Sequence, residues 1–237
     1  MAIETAIILA GGEGTRLRPI TNEIPKPMVE LFNKPLLYYI LRLLEKHGIK
    51  KVILAIGYKS GKITEYFDQI KNDFSFELIY SIEDKPLGTG GAIKKALLSC
   101  KNETVIILNG DSIFVTDFEK MYKIHKLNNA TVTMGLYFVD DISNSGSVKL
   151  DNDLITDFIE KPNTKISGLI NAGIYLLDKK ILQKLPSDEK FSFERDFLEK
   201  ECKNRTLFGY TIKEFYTVNN IEEYNYIIKK LNDRRII

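Results

Sequence analysis

The stretch 5-TAIILAGGEGTRLRPITNEIPKPM-28 joins an unbroken apolar run, Thr5 to Ala10, to two adjacent glycines and a third at position 14. A run with no polar alternation reads as a strand buried on both faces, as in a parallel sheet. Such a strand delivers Gly11, Gly12 and Gly14 to the carboxyl edge of the sheet. Missing side chains there let the backbone approach a ligand, and exposed N–H groups bind anions. The spacing is neither GxxxxGK[ST] nor GxGxxG opening a helix, and Gly57 to Lys62 fails the first pattern too. What remains is Gly-Gly-x-Gly-Thr-Arg followed by Pro25-Lys26-Pro27. Arg16 offers a planar fork suited to phosphate oxygens, and Lys26 a compact charge between two φ-restricted prolines. A glycine turn with a solvated Arg and Lys stays open as the plain reading.

Outward from this stretch, two patterns alternate. Apolar runs at Lys51 to Ile56, Glu77 to Ile82 and Val105 to Leu108 read as further buried strands. Helical periodicity covers Pro35 to His47, with Gly48 where a left-handed cap belongs. It returns at Gly61 to Ile70, Gly90 to Ser99 and Phe118 to Leu127. The series predicts an open, doubly wound sheet with its ligand beyond the carboxyl ends of the strands. From Thr131 on, mixed strands follow: Thr131 to Val139, a hairpin of Ser147 to Leu150 with Ile155 to Glu160, Gly168 to Leu177 and Thr206 to Ile212. Helices are expected at Phe193 to Cys202 and Ile221 to Leu231, and the basic residues at 229, 230, 234 and 235 read as a solvated tail.

Composition narrows the classes. The 237 residues suit one large α/β domain, and 34 basic against 32 acidic residues leave a net charge of +2, too small and too evenly spread for nucleic acid as the main partner. The two cysteines, Cys100 and Cys202, form no CxxC pair and read as core thiols. No apolar stretch approaches the ~20 residues of a spanning helix, and no leader pattern opens the chain. A soluble protein of the reducing cytoplasm, free of membrane, is expected, and no heptad or isolated apolar helix face decides its oligomeric state. His47 sits at a helix end, where its cation would meet the dipole favourably, and His125 lies in a helical pattern; neither has a partner that implies catalysis. Tyr38, Tyr39, Tyr224 and Tyr226 read as helix-packing residues.

The stretch 11-GGEGTRLRPITNEIPKPM-28 resembles the signature of the sugar-phosphate nucleotidyltransferases, which join a nucleoside triphosphate to a sugar 1-phosphate and release pyrophosphate. The segments 86-PLGTGGAIKKAL-97, 108-LNGDS-112, 159-IEKP-162 and 170-INAGIYLL-177 follow in the family's order. The resemblance implies an α/β fold: a Rossmann-like, mixed but mostly parallel central sheet flanked by helices, the nucleotide-diphospho-sugar transferase fold, with a small β region added in the second half. It implies a single domain over 1–237, with 1–130 mainly binding nucleotide and 131–237 mainly binding sugar phosphate. Leu9, Gly11, Gly12, Gly14 and Thr15 match positions around the nucleotide, Arg16 the group holding the β and γ phosphates, and Lys26 the group near the α-phosphate. Gly88, Thr89 and Gly90 match a loop that borders the base, although PLGTGGAI alone reads equally as a glycine-rich helix start. Asn109, Gly146, Glu160, Lys161 and Asn171 match sugar-phosphate positions. Arg16, Lys26 and Asp111 are thus the expected catalytic set.

Asp111 matches the first ligand of a Mg²⁺ cofactor, a hard cation that takes oxygen ligands and keeps water; as Asn-Gly-Asp it also reads as turn sequence. Many relatives supply a second carboxylate near the end of the domain, where 215-FYTVNNIEEY-224 has Thr217. TVNN resembles the GVNNR segment of the uridylyltransferases acting on acetylglucosamine 1-phosphate, which implies Asn219 as a neutral metal ligand, with Asn220 the fallback and a helix N-cap before Ile221 the alternative. PLGTGGAI, INAGIYLL and 190-KFSFERDFL-198 together resemble the D-glycero-D-manno-heptose 1-phosphate guanylyltransferases, implying GTP and a heptose 1-phosphate. A mannose 1-phosphate guanylyltransferase, a uridylyl or cytidylyl relative and a catalytically silent nucleotide-sugar-sensing subunit stay open as alternatives.

Overall fold

Side chains along a strand point alternately to opposite faces of its sheet, and in the first strand, β1 (Thr5–Leu9), both faces are dry. Ala6 and Ile8 enter one apolar cluster and Ile7 the other. The computed structural model describes residues 3–234, the last four in their backbone only; Arg235 of the basic tail lies outside the described residues. After β1 come a two-residue ladder, β2 (Glu30–Leu31) with β3 (Lys34–Pro35), then α1 (Leu36–Lys46), β4 (Lys51–Ile56), α2 (Ser60–Ile70) and β5 (Glu77–Ile82). They are followed by α3 (Gly88–Leu98), β6 (Thr104–Asn109), β7 (Ser112–Val115) and α4 (Phe118–Leu127). The second half adds β8 (Val132–Val139), β9 (Gly146–Asp151), β10 (Leu154–Glu160) and β11 (Gly168–Asp178). A π-helical segment, Phe193–Leu198, runs into one α turn, α5 (Glu199–Glu201), before β12 (Leu207–Thr211), β13 (Glu214–Thr217) and α6 (Ile221–Arg234).

Nine strands form one sheet in the order β5-β4-β1-β6-β11-β8-β12-β10-β9. The first four are parallel neighbours, β11 runs against β6 and β8, β12 runs with β8, and β10 runs against β12 and β9. Only β11 and β10 therefore oppose the common direction: the sheet is mixed and mostly parallel. One face carries α1, α2, α4 and α6 through Leu37, Ile40, Phe67, Met121 and Ile227. The other carries α3 and the π-helical segment through Ile93, Leu97, Phe193 and Phe197. Each fully buried Ile, Leu or Phe of this kind contributes about 1.5–3 kcal/mol relative to exposure.

Three expectations need correction. Phe193 to Cys202 is not a regular helix but π, then α, then 3-10 backbone. A ladder of β7 with β13, unforeseen, pairs Ser112 with Thr217. Burial, beside a Phe118 ring whose centroid is 4.9 Å away, lowers the His47 pKa, which disfavours the cation that the helix dipole was expected to favour. His125, in contrast, is fully buried and bonded to Thr133 (2.9 Å) and Asp178 (3.3 Å), with burial lowering its pKa. Cys100 and Cys202 are buried free thiols, as expected.

Candidate active site

Four parallel strands end at one edge, and the loops leaving them are laced together. Ala10 N–H donates to Ala55 O (2.8 Å), Tyr58 N–H to Gly11 O (3.2 Å), Glu83 N–H to Ile56 O (2.7 Å) and Gly110 N–H to Leu9 O (2.9 Å). They enclose a cavity of about 570 Å³ that Leu9, Gly11, Gly12, Lys26, Gly88, Thr89, Asn109 and Asp111 help to line. That size is typical of small-molecule sites. β1 lies between β4, which leads to one side, and β6, on the other; crevices open at such reversals of strand order.

The glycine turn is shaped by what it touches. Gly14 is left-handed (φ 64°), and a Cβ there would stand 2.8 Å from Lys26 Cβ. Thr21 Oγ1 donates to Gly14 O (2.8 Å), so the turn lies folded onto the segment that carries Lys26. At Gly12 a Cβ would meet nothing within 4 Å; the fold does not require glycine there, and the open space faces the cavity. Thr15 and Arg16 leave the lining for an exposed 3-10 turn.

Lys26 lies in a 3-10 turn whose Pro27 and Met28 are buried. Its Nζ donates to Asp111 Oδ2 (2.5 Å) and to Asn219 Oδ1 (2.9 Å), and Arg16 reaches the same Asn219 oxygen at 3.3 Å. The Lys26 side chain is only 12% exposed and that of Asp111 28%, so the pair is partly withdrawn from water and each group depends on the other for its charge balance. Ser112 Oγ donates to the second Asp111 oxygen at 2.9 Å. The two asparagines are now distinguished. Asn220 Oδ1 accepts from Glu223 N–H (2.8 Å), which makes Asn220 the N-cap of α6, while Glu223 Oε2 accepts from the N–H of the preceding Asn219 (2.8 Å). Asn219 instead aims its side-chain oxygen at Lys26, held by its Nδ2 donating to Thr217 Oγ1 (3.0 Å). Among the described residues no three His, Cys, Asp or Glu side chains cluster as a metal site; one carboxylate and one amide oxygen converge on Lys26.

A second cluster comprises Gly146, Glu160, Lys161 and Asn171, none of which lines that cavity. Gly146 pairs with Glu160 across the β9–β10 hairpin, and a Cβ on it would come 2.8 Å from Glu160 Oε2. Burial, and after it the charge of Glu194, raises the Glu160 pKa. Lys161 is left-handed (φ 55°), with Nζ 3.9 Å from Glu160 Oε1. Asn171 Nδ2 donates to Tyr175 OH (2.7 Å), and Asn171 Oδ1 accepts from Gly173 N–H (2.9 Å) within a bulge of β11. That bulge brings Gly173 against the Asn109 side chain.

The clusters meet at Glu194, which the sequence reading passed over. Its Oε2 accepts from Thr89 Oγ1 (2.6 Å) and Ser192 Oγ (2.9 Å), and its Oε1 from Tyr175 OH (3.4 Å). Tyr175 is fully buried, and burial holds its phenol well above the ordinary range. Glu83, directly after β5, was missed as well and lines the cavity; an acidic residue directly after a strand of the parallel set was the available signal. One expectation about the glycines is overturned. Gly90 does not border the cavity: a Cβ there would lie 2.1 Å from the Phe191 ring, so its smallness serves packing of α3.

Comparison with known proteins identifies the assembly. Residues 5–224 match the nucleotidyl transferase family. The chain is 42% identical, over 89% of its length and 90% of the relative's, to a D-glycero-alpha-D-manno-heptose 1-phosphate guanylyltransferase of Aneurinibacillus thermoaerophilus. It is 48% identical, over 84% and 86%, to the enzyme of that name from Campylobacter jejuni. The crystal structure of HddC from Yersinia pseudotuberculosis complexed with GMP-PN superposes with a TM-score of 0.84 at 34% identity, covering 97% of this chain and all of that one. The chain thus has the nucleotide-diphospho-sugar transferase fold, and it belongs to the nucleotidyl transferase family.

Proposed function

We propose that this sugar-1-phosphate nucleotidyltransferase joins GTP to D-glycero-D-manno-heptose 1-phosphate, giving the GDP-sugar and pyrophosphate. A phosphate oxygen of the sugar phosphate attacks the α-phosphorus; that P–O bond forms as the bond to the β-phosphate bridge breaks, and pyrophosphate leaves. The nucleophile is already ionised, so positioning and charge neutralisation are the main tasks. The observation that carries the reading is the convergence of Lys26, Asp111 and Asn219 beside a nucleotide-sized cavity at the switch point of the sheet. The names of the relatives from A. thermoaerophilus and C. jejuni support the choice of substrates.

In this reading Gly11, Gly12, Gly14 and Thr15 follow the phosphates, Arg16 holds the β and γ groups, and Lys26 the α group. Asn109, Gly146, Glu160, Lys161 and Asn171 receive the sugar phosphate, so residues 1–130 serve mainly the nucleotide and 131–237 mainly the sugar. Asp111 and Asn219 would hold Mg²⁺. A carboxylate and an amide oxygen brought together on one cation, as they are on Lys26, are hard oxygen donors of the kind that ion takes. The ion would neutralise charge on the triphosphate. A cytoplasmic location accords with the two free thiols.

Purified protein given Mg²⁺, GTP and heptose 1-phosphate is expected to release pyrophosphate, with ATP, CTP, UTP and mannose 1-phosphate weaker in the same assay. Absence of turnover across that panel would remove the proposal.

A further inference from the structure

We infer that Glu194 is a positioning residue that couples the two proposed substrate sites, setting Thr89 at the nucleotide cavity and Asn171 in the sugar-phosphate cluster through one chain of hydrogen bonds. The inference rests on the function proposed above and deepens it, since it states how the filling of one site prepares the other.

Glu194 lies in the π-helical segment Phe193–Leu198, a backbone form that recurs at functional sites. The hydroxyls of Thr89, Ser192 and Tyr175 all reach its carboxylate, and bonds to an ionised acceptor are stronger than neutral ones. Thr89 Oγ1 accepts from Phe193 N–H at 2.9 Å, so its single proton is left for the carboxylate. On the other side the Tyr175 phenol accepts from Asn171 Nδ2 and turns its own proton to Glu194. The Tyr175 ring is fully buried and packs edge-on against Phe193, with centroids 5.2 Å apart, so the hydroxyl has no room to swing aside. The Asn171 amide is committed at both ends, because its Oδ1 takes Gly173 N–H. Gly173 in turn lies so close to Asn109 that a Cβ on it would stand 2.2 Å from Asn109 Nδ2.

The chain thus begins on the cavity wall at Thr89 and returns to that wall at Asn109, with Asn171 between them and outside the cavity. The Glu194 carboxylate joins its two halves. A nucleotide that orders Thr89 narrows the freedom of Glu194 and so of the Asn171 amide; the sugar phosphate then meets a site already ordered, and the two ligands bind cooperatively without a larger movement. The carboxylate also acts on Glu160. That group faces Glu194, Glu199, Lys161, Arg195 and the Tyr175 phenol, and after burial the Glu194 charge is the largest cause of its raised pKa.

Titration calorimetry with α,β-methylene GTP, in which a carbon bridge replaces the bond that must break, measures the coupling without turnover. In wild type, saturating heptose 1-phosphate should tighten the analogue about fivefold or more, and the analogue should tighten heptose 1-phosphate by the same factor. In Glu194→Gln, whose amide presents a donor where a hydroxyl proton was accepted, the factor should fall below about twofold. The same variant removes a negative charge beside Glu160, so the rise in sugar-phosphate KM at low pH should move to lower pH. Thr89→Val breaks one link and keeps the charge; it should weaken the coupling and leave that pH profile in place. A brace that served only the fold would lower Tm without moving the profile. Should Glu194→Gln fail to fold, Thr89→Val decides, and an unchanged coupling factor there overturns the inference. Coupling retained, or a pH profile unmoved, in a folded Glu194→Gln overturns it and leaves the proposed function intact, as does a wild type whose two ligands bind independently. A wild type that binds neither ligand removes the function reading and this inference together.

Discussion

The edge of the parallel strands and the hairpin region beside it hold their polar groups by different means. At the parallel edge, Gly11 and Asp111 directly follow strands, Lys26 sits late in the long connection after β1, and the ion pair of Lys26 with Asp111 ties that connection to the end of β6. In the hairpin region, Glu160 is placed by register with Gly146, and Asn171 by a bulge and a buried tyrosine. The first arrangement concentrates opposite charges in a small volume; the second buries the Glu160 carboxylate near that of Glu194, and burial first, then that charge, raises the Glu160 pKa. One cluster is built around the cations Lys26 and Arg16 and the other around the carboxylates Glu160 and Glu194, the contrast that the proposed triphosphate and sugar sites call for.

Lys26→Ala should break the first arrangement most severely. It removes the cation between Asp111 and Asn219 and leaves the carboxylate uncompensated, and loss of one such electrostatic contact to a transition state lowers kcat by about 10²–10³. Pyrophosphate release at saturating substrates measures it. A loss confined to KM would mean that Lys26 binds ground state and transition state alike.

The contrast also explains what could be read from the sequence. The boundaries of β4 and β5 coincide with their apolar runs, but only β4 has the burial on both faces that such a run predicts; β5 is the edge strand of the sheet and its residues are partly or fully exposed. The Gly11 to Lys26 segment was legible because its parts are close in the chain and bound to strand ends. The bond of Glu194 to Thr89 spans 105 residues, and no local pattern announces such a tie. The π-helical Phe193–Leu198 was missed because Phe193, Phe197 and Leu198 satisfy α periodicity equally well. Asn219 and Asn220 carry the same side chain, and only their partners in the fold tell them apart: Glu223 N–H for Asn220, Lys26 and Thr217 for Asn219.

Gly90→Ala tests the packing that joins the halves. The new Cβ would lie 2.1 Å from the Phe191 ring, and overpacking of this kind destabilises by about 1–3 kcal/mol. A lowered Tm that Phe191→Leu partly restores is the expected result. A Tm within error of wild type would show that the 191 segment yields freely.

Glu160→Gln separates stability from function in the hairpin region. Because the folded pKa of Glu160 is raised, its effect on stability is most favourable below the ordinary glutamate range and worsens as pH rises through the folded value. The glutamine variant should therefore melt higher than wild type at neutral pH, with the gain fading as pH falls through the raised folded value and gone below the ordinary glutamate range. Its KM for sugar phosphate should rise roughly tenfold through loss of a charged acceptor, leaving the KM for GTP in place. A parallel rise in both KM values would mean that the two regions are not separable.

Asn219→Asp is the gentlest probe, and it tests which cation Asn219 serves. A carboxylate at 219 would face Lys26, Arg16 and Asp111 together. If Mg²⁺ is held between Asp111 and residue 219, one added formal charge strengthens its site, and the Mg²⁺ needed for half-maximal pyrophosphate release should fall about threefold, with Mn²⁺ binding followed by electron paramagnetic resonance tightening in step. The same charge also grips Lys26, so the gain is smaller than an isolated carboxylate would provide. If residue 219 serves only to steady Lys26 and Arg16, the metal requirement should instead rise, because both cations would be held more firmly on the protein and Mg²⁺ would have to compete with them. The direction of that shift separates the two roles.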